Sequence, residues 1–328
     1  MPKSPNQKQK LLVLARFLLQ RSDEEHPLTI QDMIGELDRW GISAERKSLY
    51  DDMNTLQNFG LDVQCRKGSK GGWFIGEREF EMAELKLLVD AVQSSKFITR
   101  KKSDALIRKL EGLASAHQAK QLSRQVFVAD RVKTMNESIY YNVDKLHSAL
   151  SARRAITFRY FDYNSRKEKV FRREGGRYTV SPCGLVWDSE NYYLVSWDHR
   201  HGEVRHYRVD KMAEIVMTDE HLQGEAAGEF NMAGYAKKHF GMFSGTDAAV
   251  TLRCREERAG VVIDRFGQEA MLVPGGEGYF SVTVTVVVSP QFWGWLFSLG
   301  SDMELTAPEW AAKEYLERLE KVAAIYQK

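Results

Sequence analysis

The chain has 328 residues, of which 43% are hydrophobic and 28% charged, and its formal net charge is +2. These values are ordinary for a soluble protein of two or three domains. Cys65, Cys183 and Cys254 form no CxxC pair, which argues against a disulfide framework or a structural zinc site and for a reducing cytoplasm. No apolar run approaches about 18 residues and no signal core is present, so we expect neither a membrane span nor secretion.

The first 76 residues predict three helices followed by a hairpin. Thr29 is a good N-cap for the second helix, with Asp32 at the capping-box position. Ser43 is the predicted N-cap of the third helix, which ends at Gly60. Two short apolar strands then flank a basic, glycine-rich turn over residues 66–72. This order predicts a winged helix-turn-helix domain over residues 1–76.

The start of the third helix and the hairpin turn carry the candidate contacts to DNA. The first turn of a recognition helix reaches base edges in the major groove, and basic residues on a wing suit adjacent phosphates. The candidate DNA-binding residues are Ser43, Arg46, Lys47, Ser48, Tyr50, Lys67 and Lys70. The alternative is a solvated helix face, since the block holds 11 Lys+Arg against 10 Asp+Glu. The block resembles DeoR-type winged helices, which implies a double-stranded DNA operator as partner; Asp51-Asp52 stands where that pattern has arginine before aspartate.

Residues 77–139 read as a helical bridge. Apolar residues from Leu85 to Val92 define one helix, and a second follows from about Ser103. Residues 96–133 hold 10 Lys+Arg and 3 Asp+Glu, a net charge of +7. The bridge is either a solvated connection or, as we favour, a linker for dimerisation and signal relay.

Residues 140–217 predict one helix followed by five short strands, the element order of an Sm-like β-barrel. The stretch 181–212 resembles the signature of WYL-domain transcriptional regulators. The residues that carry the resemblance are Pro182, Gly184, Tyr192-Tyr193-Leu194 in place of Trp-Tyr-Leu, Arg205, Arg208, Asp210 and Lys211. The segment FEMAELKLLVDAVQSSKF in the bridge likewise looks like the helical linker of WYL regulators.

The same stretch predicts a site for an anionic ligand, because arginine forks suit phosphates and aromatic faces suit bases. Residues 153–177 add 9 Lys+Arg against 3 Asp+Glu. Strict strand alternation places Arg205 and Arg208 on opposite faces, so we group His206 with Arg208 and Arg205 with Tyr207. The candidate ligand-binding residues are Tyr160, Ser181, Tyr193, Arg205, His206 and Arg208. The alternative is that these arginines form ion pairs with Asp198, Glu203 or Asp210 and leave no ligand site.

Neither a metal site nor a catalytic site is expected. His199, His201 and His206, with Asp198, match no strong zinc spacing. No P-loop, GxGxxG, HExxH or GxSxG motif is present. We therefore expect no metal, no cofactor and no enzymatic activity.

After a polar linker at 223–229, residues 230–328 predict the order β-α-β-β-α-β of a ferredoxin-like domain. This block resembles the C-terminal extension of many WYL regulators. The fold class predicted for the chain is multidomain α+β: an N-terminal winged helix-turn-helix, a helical linker, an Sm-like β-barrel (the WYL domain) and a ferredoxin-like α/β domain.

The resemblance implies a homodimeric, cytoplasmic, DNA-binding transcriptional regulator. Its WYL domain would sense an anionic ligand, for which single-stranded nucleic acid and a nucleotide are the candidates. Two other functions stay open from the sequence: a nucleic-acid-processing enzyme, and an accessory regulator of a partner enzyme.

Overall fold

The computed structural model describes residues 6–68, 71–122, 133 and 138–327. It divides into two compact units, with the boundary between Glu137 and Ser138. None of the described helices combines the length and the apolarity that a crossing of the bilayer requires.

The first unit begins with three helices and a two-stranded antiparallel sheet. Their bounds are α1 (Gln7–Arg21), α2 (Ile30–Arg39), α3 (Arg46–Asn58), β1 (Val63–Arg66) and β2 (Gly72–Ile75). Leucines and methionines at helical spacing fill the core between them, because each helix turns one apolar stripe inward. The core residues that are fully buried are Leu14, Leu18, Met33, Leu37, Ile42, Leu49 and Met53.

One of the two predicted helix starts is confirmed and the other is wrong. The Thr29 backbone N–H donates to Asp32 at 2.8 Å and the Thr29 hydroxyl accepts from the Asp32 N–H at 3.2 Å, which closes the capping box of α2. The N-cap of α3 is Glu45, and Ser43 lies exposed in the loop before it. The helix starts later than predicted because Ile42 is anchored in the core and the chain takes no helical turn between Ile42 and Glu45.

Between residues 77 and 122 the structure describes three helices, one more than predicted. The bounds are α4 (Met82–Ser94), α5 (Arg100–Glu111) and α6 (Ala116–Leu122). Leu85 and Val89 of α4 pack with Leu122 of α6 in a small core. The Ser115 hydroxyl just before α6 donates to the Asp23 carboxylate. This bond ties the helical linker to the segment that follows α1.

The second unit begins with α7 (Ile139–Ala152), which packs on a six-stranded antiparallel sheet that curls into a half-barrel. The strands are β3 (Arg154–Tyr163), β4 (Lys169–Phe171), β5 (Tyr178–Asp188), β6 (Asn191–Asp198), β7 (Glu203–Arg208) and β8 (Met212–His221). The ladder runs β4-β3-β5-β6-β7, and β8 pairs with the other edge of β3. Strand β7 is therefore one edge of the half-barrel.

Three details of this sheet differ from the prediction. A single strand, β5, takes the place of two predicted strands, because a bulge between Pro182 and Gly184 lets it bend without ending. Strands β4 and β8 were not predicted. β4 has only three residues, and most residues of β8 are exposed, so neither shows the apolar alternation by which a strand is recognised.

The chain continues through a 3-10 turn (Gly224–Ala227) and the short helix α8 (Met232–Lys238) into a separate four-stranded sheet. The elements are β9 (Thr246–Arg255), α9 (Ala259–Phe266), β10 (Leu272–Gly276), β11 (Tyr279–Val288), α10 (Pro290–Ser298), β12 (Met303–Ala307) and α11 (Glu309–Tyr326). The strand order is β10-β11-β9-β12, antiparallel throughout. Each strand and helix predicted for this block is present.

Candidate functional site

Helix α3 presents two exposed cations at its first turn. Because Leu49 and Met53 face the core, Arg46, Lys47 and Tyr50 lie on the exposed face. The Arg46 guanidinium donates to the Tyr50 hydroxyl at 3.4 Å and lies 5.9 Å from the ring centre. This places positive charge where the start of a helix can meet a phosphate or a guanine edge.

Ser48 is used by the fold. Its hydroxyl donates to the Glu45 carbonyl at 2.9 Å and accepts from the Lys10 ammonium at 2.9 Å. Lys10 is almost completely buried and forms an ion pair with Asp52. The sequence analysis missed this link between α1 and α3, although a lysine next to the leucines of α1 was a visible sign of it.

The turn between β1 and β2 contains two candidate DNA-binding residues, of which the structure describes Lys67. Lys67 is exposed just after β1, beside Gly68, whose φ of +117° requires glycine. Arg66 lies over the Phe74 ring at 5.6 Å and within 3.5 Å of the Glu24 carboxylate. Lys70 lies outside the described residues.

An aromatic cluster occupies the inside of the half-barrel and includes Tyr160. The Tyr160 ring packs edge-on against Tyr178 and Tyr207, with centroids 6.0 and 5.5 Å apart. Its hydroxyl accepts a hydrogen bond from the Arg208 backbone N–H at 3.2 Å, and Arg172 lies over the ring at 5.2 Å. Burial raises the pKa of Tyr160 to about 12, so the hydroxyl stays neutral at physiological pH.

Both predicted ligand-binding arginines have carboxylate partners inside the protein. Arg208 donates to the two carboxylate oxygens of Asp210 at 3.0 and 2.8 Å, and to the Asn191 side chain at 2.9 Å. Arg205 donates to Glu203 at 2.6 Å. These are the ion pairs that formed the alternative to a ligand site. An anion at either arginine would have to displace a carboxylate.

Ser181 and Tyr193 are held by structural contacts. The Ser181 hydroxyl lies 2.8 Å from Nε2 of His199 and accepts from the Gln223 backbone N–H at 2.9 Å. The buried Tyr193 donates to the Gly241 carbonyl at 3.4 Å. Neither residue lines the large cleft of this unit.

A cleft of about 1070 Å³ in the second unit runs along β7. It brings together three of the predicted ligand-binding residues, Tyr160, Arg205 and His206. The sequence analysis missed the other side of the cleft, because the segment that forms it follows later in the chain. The lining residues from that segment include Phe230, Tyr235, Lys238, His239 and Asp247.

His206 is a neutral, half-buried base in this cleft. Its Nδ1 lies 2.9 Å from the Tyr235 hydroxyl, and its ring centre lies 5.3 Å from that of His239. Burial, with a smaller contribution from the charge of His239, lowers the pKa of His206 to about 4. The pKa of His239 is also lowered by burial, while its Nδ1 donates to the Tyr235 carbonyl at 2.7 Å. The two rings therefore act as uncharged hydrogen-bonding groups near neutral pH.

The histidines that were considered as metal ligands have separate partners. His199 contacts Ser181, whereas His201 lies 3.1 Å from Asp198. Across residues 6–68, 71–122, 133 and 138–327, no group of three or more His, Cys, Asp or Glu side chains is arranged to hold a metal ion.

Comparison with known proteins identifies two domains of the second unit. Residues 141–217 match the model of the WYL domain, and residues 246–323 match that of the WCX domain. The chain thus contains a WYL domain followed by a WCX domain. No curated protein matches the chain in sequence.

Two solved structures resemble the chain weakly. One is proteasome accessory factor B/C (PafBC) of Arthrobacter aurescens, at 17% identity and a TM-score of 0.30, covering 98% of this chain and 49% of that one. The other is a CRISPR Cas-related protein, at 14% identity and a TM-score of 0.39, covering 91% of this chain and 77% of that one. The chain thus spans about half the length of the PafBC chain.

Proposed function

We propose that the chain is a DNA-binding transcriptional regulator. The observation that carries the proposal is the pair of exposed cations, Arg46 and Lys47, at the start of the third helix of a block that ends in a hairpin. This order supports a winged helix whose α3 enters the major groove. The WYL domain in the same chain supports the regulatory role.

We propose an Sm-like architecture for the half-barrel and a ferredoxin-like fold for the WCX domain. A helix followed by the strand order β8-β3-β5-β6-β7, with a 3-10 turn (Val209–Lys211) before β8, supports an Sm-like architecture for the half-barrel. The strand order β10-β11-β9-β12, with two crossing helices, supports a ferredoxin-like WCX domain. The regulator would work in the cytoplasm as a homodimer, since two winged helices are needed to read a palindromic operator.

Selection of DNA fragments by the purified full-length protein tests this function. The protein should enrich a palindromic sequence from random duplex DNA, and the Arg46→Ala/Lys47→Ala variant should not enrich it. Failure of the unaltered protein to enrich any sequence would contradict the proposal.

A metal-dependent nuclease assay on the same fragments tests the enzymatic alternative, for which we expect no cleavage. Co-purification with a partner enzyme in the absence of DNA would instead favour the accessory-regulator alternative.

The proposal includes a ligand response of the central domain. The sequence predicts an anionic ligand there, and Arg205 and His206 do line the cleft. Titration of the full-length protein with a single-stranded oligonucleotide and with nucleotides tests this class of ligand. A saturable change in operator affinity that Arg205→Ala abolishes would support it.

A further inference from the structure

The cleft in the second unit follows an open sheet edge. Strand β7 pairs with β6 in register from Tyr193↔Arg208 to Asp198↔Glu203, and no second strand pairs with it in the described part of the chain. Edge strands present backbone donors and acceptors to whatever lies beside them.

The hydrogen bonds of β7 show which of its residues face the cleft. The Arg208 N–H donates to Tyr160 and so points away from β6, whereas the Arg205 carbonyl points toward β6, where the Ser196 hydroxyl approaches it at 3.5 Å. Backbone groups of an antiparallel strand alternate in direction. Val204 and His206 therefore point their N–H and C=O groups away from β6. Among the described residues, no other backbone group pairs with them.

The shape of the cleft fits an extended chain. Phe230 and Tyr235 approach from one face of the sheet, and Tyr160 and Tyr207 form the wall on the other face. The volume of about 1070 Å³ follows a strand of six residues, which corresponds to a length of roughly 20 Å. A peptide strand laid there would place alternate side chains against these two aromatic walls.

The charged side chains that line the cleft favour a ligand with basic side chains. Glu203 pairs with Arg205, and Asp247 pairs with Lys238. Arg172 lines the cleft and pairs at 2.6 Å with Asp162, a carboxylate outside the lining that Lys211 also contacts. The charged lining residues that remain are Glu225 and Glu229, which are exposed and form no ion pair with any described residue. The charge of these two side chains is negative, so Lys or Arg side chains are favoured beside them.

We propose that the protein binds an extended peptide segment with basic side chains, which adds to the half-barrel as a strand along β7. The main-chain bonds to Val204 and His206 would supply affinity, while Glu225 and Glu229 would select the side chains. The partner is thus another protein with an exposed basic strand. This inference does not depend on DNA binding.

Selection from a display library of short random peptides on the full-length protein tests the inference. The recovered peptides should be rich in Lys and Arg. Val204→Pro removes one outward N–H and leaves the bonds to β6 in place, as proline is tolerated on a sheet edge. It should weaken peptide binding by roughly tenfold or more, and so should N-methylation of the peptide. Hydrogen exchange at Val204 and His206 should slow when a recovered peptide binds.

A matched pair of charge variants covers the case in which Val204→Pro fails to fold. Glu225→Gln/Glu229→Gln should weaken binding, and Glu317→Gln/Glu320→Gln on the exposed face of α11 should not. The inference is overturned if no peptide is enriched, or if N-methylated peptides bind as well as their parents. It is also overturned if Glu225→Gln/Glu229→Gln binds a recovered peptide as tightly as the unaltered protein does. Peptide binding can be measured whether or not the protein binds an operator. Failure of the DNA-binding proposal would therefore not contradict the peptide-binding proposal.

Discussion

The two cations at the start of α3 should determine which DNA sequence is bound. Arg46 is exposed and donates to Tyr50, and Lys47 is exposed, so both can turn toward the major groove. Arg46→Ala/Lys47→Ala should cost more than roughly 1–3 kcal/mol of specific binding, measured by fluorescence anisotropy on a selected operator. Lys67→Ala is the comparison: it should weaken binding to all sequences and lower the salt dependence. Unchanged operator affinity in the double variant would contradict the assignment.

His206 should make stability depend on pH. Its pKa is about 4 in the folded protein, against 6.5 for an unperturbed histidine. As the pH falls, the unfolded chain takes up the proton first, so stability that is fully present above pH 6.5 is lost between 6.5 and about 4. The loss should be on the order of 3 kcal/mol.

Urea unfolding at several pH values measures this effect. The His206→Gln variant should lose less stability over that range than the unaltered protein, and part of the dependence should persist because His239 is also buried. His147→Gln, at an exposed position on α7, should behave like the unaltered protein. An identical pH dependence in His206→Gln would show that the ring is not the source.

Arg208 should contribute to folding through Asp210. The bidentate pair joins the end of β7 to the turn that leads into β8. More than a third of the arginine side chain is exposed, so solvent screens the pair and Arg208→Ala should cost only about 1 kcal/mol. The loss of stability is measured by the melting temperature of the second unit in Arg208→Ala, and Arg205→Ala serves as the comparison variant. A variant that is as stable as the parent but has lost its response to a ligand would instead support a sensor role.

At the scale of elements, Lys10 and Asp52 should hold α3 on α1. Both side chains are largely buried, at 4% and 16% exposure. Removal of one partner leaves a buried charge alone, which costs about 3 kcal/mol or more. Asp52→Asn should therefore destabilise the first unit and weaken operator binding together, as measured by unfolding and by anisotropy. Asp51→Asn, at the exposed neighbouring position, is the matched control and should change stability little.

Lys10→Met tests the same link from the other helix. It should destabilise the unit as Asp52→Asn does, and the double variant should cost less than the sum of the two, because no unpaired charge remains. Strict additivity would mean that the two side chains do not interact.

For the whole molecule, we expect a homodimer. A single winged helix rarely binds one half-site with useful affinity, and a twofold axis matches a palindromic operator. Light scattering at micromolar concentration should give about twice the chain mass of 37.7 kDa. Observation of the single-chain mass alone, with and without operator DNA, would reject the dimer.

The sequence by itself determined the helices and strands that are defined by residues close together in the chain. Strand β11 is one of the strands in the predicted order β-α-β-β-α-β, and a run of β-branched residues from Val282 to Val288 defines it locally. The capping box of Thr29 and Asp32 is equally local. The start of α3 was predicted too early, because the core position of Ile42 overrides the capping preference of Ser43.

Only the tertiary structure decided what surrounds β7. Strand alternation assigned Arg205 and Arg208 to opposite faces, but it could not show that each has a carboxylate partner. Nor could it show that Tyr235 and His239, on a later segment, approach His206 to form a cleft. Side-chain partners and an open sheet edge depend on which distant segments pack together, and neither spacing nor composition encodes that packing.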